Sequence, residues 1–353
     1  MAPSRTADLC KRRMSLASRR LGTTDPVPLI GGIIDRSFNL PVGDPRYGRN
    51  ALLPGSLPLE HSFSEAASHA LRFDMEPLGP DASPWSRRQE ASREMRRIVH
   101  QVYGRQALQW FDERSEPHRA AAMASNGKFG AWFGGAFDEA GLQEAKVYYE
   151  LDPERLDDLP PNLLHASRVA MACLPDLLPI FTSIACGRTQ GAQRVYFFHD
   201  GDLRLLDLEP LMNRLGIGHQ LPGLLTAVGL ILGGRFTLPQ GSVVMGLRDT
   251  SRGMELKLDV LIPGIPDPPR EMHGLIQLHM AQRPEAQRAL GRWIQAMTPD
   301  ECSTCGDISV LSTRVNPQMG PRLTLYFRPV GYDRAPSRER DVAAPRDPYF
   351  APL

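Results

Sequence analysis

Residues 57–79 read LPLEHSFSEAASHALRFDMEPLG. Wound as a helix, this stretch would scatter its charges around the cylinder; drawn out as two strands, it sorts them. Glu60, Ser62 and Ser64 alternate with Leu59, His61 and Phe63, and after the turn Arg72, Asp74 and Glu76 alternate with Leu71, Phe73 and Met75. A period of two gives each strand one polar and one apolar face. The expected structure is therefore a hairpin that carries Glu60 and Arg72 on the same side.

The pattern recurs along the chain. Strand pairs are expected at 57–64 with 70–77, 128–137 with 145–151, 179–187 with 191–199, 242–249 with 254–262 and 307–315 with 322–330. In the second strands, Lys146, Tyr148 and Glu150 alternate with Val147, Tyr149 and Leu151, and Arg194 and Tyr196 alternate with Val195 and Phe197. Lys257 and Asp259 alternate with Leu258 and Val260, and Thr324, Tyr326 and Arg328 with Leu323, Leu325 and Phe327. Helical periodicity fills the links, at 83–103 continuing into 107–111, 161–174, 203–215 with 221–232, and 270–297. Five hairpins joined by helical links argue for one repeated architecture. An open antiparallel sheet with its polar face in water is one solution. The other closes ten strands into a barrel, which hides the edges, turns the polar face into a lumen and leaves the aliphatic face to be covered by helices. Tyrosine lies two positions from a basic residue on three of the strands, which favours the barrel, an α+β fold in one domain over 51–332. Residues 1–50, with Arg5, Lys11, Arg12, Arg13, Arg19 and Arg20 among Ser and Pro, are expected to be a disordered basic tail, and 333–353 a flexible one. Removing 1–50 is then expected to leave activity intact.

Bulk composition narrows the partners. A chain of 353 residues with 42% hydrophobic and 23% charged content is that of a folded protein, and its formal charge of +1 gives no global attraction for nucleic acid or an anionic membrane. No run of eighteen apolar residues suggests a membrane span. Five cysteines at irregular spacing make no disulfide framework, so a reducing, cytoplasmic setting is expected, and Cys302 and Cys305 lack the second pair that a zinc ribbon needs. His165, His219, His273 and His279 show no ligand spacing beside acidic partners. Arg188 and Arg248 fall near hairpin tips and read as solvated.

A closed lumen holding Arg72, Lys146, Arg194 and Lys257 would bury several positive charges, which is costly without an anion. Diphosphate suits guanidinium and ammonium groups. The faces of Tyr148, Tyr196 and Tyr326 attract a cation instead, each contact contributing roughly 0.5–2 kcal/mol when desolvated. Together they suit ionisation of an allylic diphosphate. The DDxxD-type clusters that hold magnesium in metal-dependent prenyl synthases are absent, since Asp157 and Asp158 are followed by Leu159, Pro160 and Pro161. No cofactor and no magnesium requirement are expected, the basic side chains supplying the electrostatics. Asp74 and Glu76 share the lumenal parity, as partners of Arg72 or as site residues. Trp132, Phe133 and Phe198 line an acceptor pocket or belong to the core.

The run Leu57-Pro58-Leu59-Glu60-His61-Ser62 with Arg72-Phe73-Asp74-Met75-Glu76-Pro77-Leu78-Gly79, and Lys146-Val147-Tyr148 after it, resembles the dimethylallyltryptophan synthase family of indole prenyltransferases. The likeness spans about residues 50–332 and is most specific in the first hairpin. It implies the ABBA barrel of repeated α-β-β-α units and transfer of a dimethylallyl or longer prenyl group to an indole or tryptophan-derived acceptor. Under the resemblance Glu60 accepts the indole N–H, Arg72, Lys146, Arg194 and Lys257 bind diphosphate, and Tyr148, Tyr196 and Tyr326 shield the cation. Asp259 stands where the family places a tyrosine, Ala192 where an arginine often precedes the third pair, and no lysine is placed to remove the ring proton. Expected partners are small-molecule substrates only, in a monomer or homodimer. The same fold acting on a peptide side chain or a phenol, as in the cyanobactin peptide prenyltransferases, and a non-catalytic barrel binding a lipid or anion remain alternatives.

Overall fold

The computed structural model describes residues 5–120 and 127–332. The opening stretch forms the expected hairpin, β1 (Leu59–Ser64) and β2 (Leu71–Met75), with Leu59 opposite Met75 and Glu60 opposite Asp74. The four further hairpins are β3 (Ala131–Asp138) with β4 (Gly141–Glu150), β5 (Leu177–Gly187) with β6 (Gly191–His199), β9 (Val243–Thr250) with β10 (Gly253–Leu261), and β11 (Gly306–Asn316) with β12 (Met319–Pro329). A separate pair, β7 (Leu203–Arg204) and β8 (Thr237–Leu238), lies between the third and fourth hairpins. The ten long strands close into one antiparallel barrel in the order β1-β12-β11-β10-β9-β6-β5-β4-β3-β2. Closure through β1 and β12, where Ser62 faces Tyr326, leaves the barrel without an open edge.

Alternation assigns the two faces. Leu59, Phe63, Phe73, Val147, Val195, Phe197, Leu256, Leu258, Leu323, Leu325 and Phe327 turn outward into two apolar clusters shared with the helices. These helices are α3 (Pro84–Ala120), α4 (Pro161–Cys173), α5 (Glu209–Arg214), α6 (Leu221–Ile231), α7 (Met272–His279) and α8 (Pro284–Met297). Gly104, at φ 85°, breaks α3 midway, a left-handed conformation that a residue with Cβ resists. The single helix expected over 203–215 is instead β7, a 3-10 turn at Leu205–Leu208 and α5, because the strand pairs with β8 and Pro210 sits in the first turn of α5. The helix expected over 270–297 divides before Pro284, which starts α8.

Residues 5–50 are not a tail. Two helices fold there, α1 (Thr6–Leu21) and α2 (Val27–Ser37), and bury Ala7, Cys10, Met14, Ile30, Ile33, Ile34 and Phe38 against Met95, Ile98 and Val99 of α3. The basic residues that suggested disorder are used as staples. Arg13 donates to the Val330 carbonyl at 2.7 Å and pairs with Glu301, Arg20 pairs with Asp300, and Lys11 pairs with Asp35. Arg36 ties α2 to α3 through Glu90 at 2.7 Å and Glu94 at 2.8 Å. The expected tail at 333–353, like residues 1–4, lies outside the described residues.

Candidate active site

Directly opposed residues on neighbouring strands share a face, so the register fixes what meets in the lumen. One belt runs Trp132, Tyr148, Ser183, Arg194, Arg248, Glu255. The next runs Phe181, Tyr196, Gly246, Lys257, Arg314. Gly246 leaves room there, since a Cβ would lie 2.9 Å from Arg194 Cδ. All eight residues singled out from sequence, Glu60, Arg72, Lys146, Tyr148, Arg194, Tyr196, Lys257 and Tyr326, line one of two adjoining hollows that share Tyr196, Lys257 and Tyr326.

The first hollow is charged. Arg72, Lys146, Arg194, Arg248, Lys257 and Arg314 line it, with Glu144 among them. Lys146 pairs with Glu144 at 3.0 Å and Arg72 approaches the same carboxylate at 4.0 Å. Glu255 bridges Arg194 and Arg248, the latter at 2.8 Å. Lys257 holds Asp259 at 2.7 Å and donates to the Tyr326 hydroxyl at 3.1 Å. Among the described residues, and setting aside Arg188, which Asp138 neutralises, six cations thus face three carboxylates, Glu144, Glu255 and Asp259, a surplus of three positive charges. The Nε atoms of Arg72, Arg194, Arg248 and Arg314 are buried with no hydrogen-bond partner. Burial alone would raise the carboxyl of Glu144, but Lys146 and Arg72 outweigh it and bring it down to about 2. Glu255 is likewise pushed up by burial and pulled below its ordinary value by Arg194, Arg248 and Arg314. Burial and its arginine neighbours hold Arg314 below the usual guanidinium range, Glu255 only partly offsetting them.

Rings dominate the second hollow. Phe129 stacks on Trp132 at 3.9 Å and Phe181 on Tyr196 at 4.4 Å, with Tyr148 meeting Trp132, Phe181 and Tyr196 at about 6 Å. The Lys257 ammonium sits 5.5 Å from the Tyr196 ring centre and 5.0 Å from that of Tyr326. Glu60, Asp74 and Asp259 add carboxyl groups to the same wall. Glu60 accepts a hydrogen bond from Ser309 at 2.6 Å, and burial, only partly offset by that bond, pushes its carboxyl up to about 8. Burial also raises Asp74. Burial would raise the Tyr196 phenol, yet Lys257, Arg194 and Lys146 outweigh it and hold it below its ordinary value.

Several expectations shift. Arg248 is not a solvated tip residue but part of the charged hollow, because its register with Arg194 and Glu255 turns it inward. Arg188 lies at the rim of that hollow and is paired with Asp138 at 2.6 Å. Trp132 lines the second hollow, whereas Phe133 faces the outer core. Glu76 serves Arg87, at 3.0 Å, and the Ala51 N–H, not Arg72. Sequence reasoning missed Arg314, Glu144, Glu255 and Ser309. Register arithmetic from Lys257 and Lys146 would have found the first two, whereas a bulge between Ile308 and Val310 turns Ser309 inward against simple alternation.

No protein-family model matches the sequence, and no curated protein does. Solved structures do. The 5-dimethylallyl tryptophan synthase from Streptomyces coelicolor, in complex with DMASPP and Trp, has a TM-score of 0.69 at 15% identity, over 97% of this chain and 100% of that one. The prenyltransferase PriB, in a ternary complex with L-tryptophan and dimethylallyl thiolodiphosphate, has a TM-score of 0.67 at 19% identity, over 96% and 99%. The 6-dimethylallyltryptophan synthase from Micromonospora olivasterospora, with DMASPP and Trp, has a TM-score of 0.67 at 17% identity, over 92% and 97%. The chain therefore has the fold of these solved tryptophan prenyltransferases, the helix-wrapped ten-stranded barrel, along nearly its whole length.

Proposed function

We propose that the protein is a prenyltransferase that moves a dimethylallyl or longer group from its diphosphate to an electron-rich aromatic ring, an indole or tryptophan derivative. The observation that carries this reading is the surplus of three positive charges beside a tyrosine-walled hollow. An allylic diphosphate brings a matching negative charge, and three solved structures of this fold are complexes with DMASPP or dimethylallyl thiolodiphosphate together with tryptophan.

In this reading Arg72, Lys146, Arg194, Lys257, Arg248 and Arg314 hold the diphosphate. As the allylic C–O bond breaks, its electron pair goes to the diphosphate, whose growing charge these groups stabilise. The allyl cation is left against the faces of Tyr148, Tyr196 and Tyr326, which exclude water and favour positive charge. The ring attacks the cation, and loss of the ring proton restores aromaticity. Glu60 accepts the indole N–H and fixes the ring, so the carboxylate form is the working one. Because six organic cations supply the charge, metal independence is part of the proposal.

The test is incubation with labelled dimethylallyl diphosphate and an acceptor panel in EDTA. Prenylated indole without divalent ion supports the reading; a phenol or peptide product would keep the donor chemistry and change the acceptor. Tight diphosphate binding without turnover on any acceptor would replace it with a binding barrel.

A further inference from the structure

The aromatic hollow has a polarity that the proposed chemistry leaves unused. Its wall carries three acidic side chains, Glu60, Asp74 and Asp259, while Lys257 is its one lining cation among the described residues. That ammonium is already bound, to Asp259 Oδ2 at 2.7 Å and to the Tyr326 hydroxyl at 3.1 Å. Glu60 Oε1 is engaged by Ser309. Asp259 Oδ1 is different: it is buried, in a residue only 6% exposed, and has no hydrogen-bond partner. A carboxylate oxygen left bare inside a protein costs free energy that a donor on a bound ligand recovers.

On the transferase reading, we infer that Asp259 receives an ammonium group of the acceptor, so that the preferred substrate is an indolic amine lacking a free carboxylate rather than a zwitterionic amino acid. The indole N–H is committed to Glu60, which leaves Asp259 Oδ1 for a second donor on the ring's side chain. An ammonium group is the strongest complement to an ionised oxygen in a water-poor wall of rings. A carboxylate on the same side chain would face three acidic groups and no uncommitted lining cation. Like charges so placed disfavour binding.

The experiment compares tryptamine, unsubstituted indole, L-tryptophan and indole-3-propionate. Equilibrium binding to protein loaded with dimethylallyl thiolodiphosphate is measured first, then kcat/KM with dimethylallyl diphosphate. The expected order is tryptamine, indole, L-tryptophan, indole-3-propionate, with tryptamine ahead of indole on the order of tenfold, as suits one hydrogen bond to a charged group. In Asp259→Asn the tryptamine-to-indole ratio should fall close to one, a comparison that cancels any general loss from disturbing Lys257. A wild-type preference for L-tryptophan or the propionate overturns the inference even when transfer occurs. An unchanged ratio in Asp259→Asn removes Asp259 from it. The expected binding order without turnover would uphold the inference and sink the transferase reading instead.

Discussion

Glu60 keeps its proton because burial penalises the carboxylate more than Ser309 and Lys257 favour it, which lifts its carboxyl from 4.5 to about 8. If the carboxylate is the form that accepts an indole N–H, kcat/KM for an indole acceptor should rise as pH climbs through about 8. Glu60→Gln keeps the Ser309 hydrogen bond but should flatten that rise and cut turnover on the order of a hundredfold, with donor binding little changed. Stability carries the opposite sign. The native state retains a proton that the unfolded chain gives up above pH 4.5, so this contribution is full below 4.5 and lost as pH rises to about 8. Thermal unfolding should therefore find Glu60→Gln gaining on the wild type as pH rises from 4.5 to about 8. Glu255 presents a different case. It neutralises Arg194 and Arg248, and its removal strands one buried and one half-buried cation. Glu255→Gln should lower stability by roughly 3–5 kcal/mol in plain buffer. Added inorganic diphosphate should restore most of the loss and bind more tightly than to the wild type, which calorimetry and a melting series would read together.

Alternation by two made the strand elements legible, because each of the five hairpins shows the same division into aliphatic outside and polar inside. It was enough to bring Glu60, Arg72, Lys146 and Arg194 to one lumen. It could not supply register, and register is what turns Arg248 and Arg314 inward beside Arg194 and Lys257. Nor could it supply the bulge that aims Ser309 at Glu60. The N-terminal helices were hidden for another reason. Ala7, Cys10, Met14 and Ala17 do repeat at helical spacing, but the arginines between them suggest disorder until their partners near residues 300 and 330 are known. As these helices cover the outer barrel face, deletion of residues 1–50 should yield protein that fails to fold cooperatively, and Met14→Ala should cost roughly 2–5 kcal/mol in denaturant unfolding. On β3 the close approach of backbone and side chain is equally specific. A Cβ at Gly134 would lie 2.0 Å from Asp74 Oδ1, so Gly134→Ala should retain strand circular dichroism while losing acceptor turnover.

Across the whole molecule the barrel separates charge within one lumen. Basic residues gather in one hollow and the carboxyl groups of Glu60, Asp74 and Asp259 in its neighbour, with Tyr196, Tyr326 and the Lys257 ammonium between them. Formal charge over the chain is only +1, so under the proposed reaction it is this local field, rather than any global attraction, that would select an anionic donor. Because low-dielectric walls shield the pairs, salt should slow donor capture more than it weakens the bound state. The most direct measurement is calorimetric titration of dimethylallyl thiolodiphosphate into wild-type protein and the Arg72→Ala and Arg314→Ala variants, all in EDTA. Saturable binding without metal, weakened roughly 10- to 100-fold by either substitution, is the predicted result. Binding that needs a divalent ion, or that is indifferent to both arginines, would contradict it.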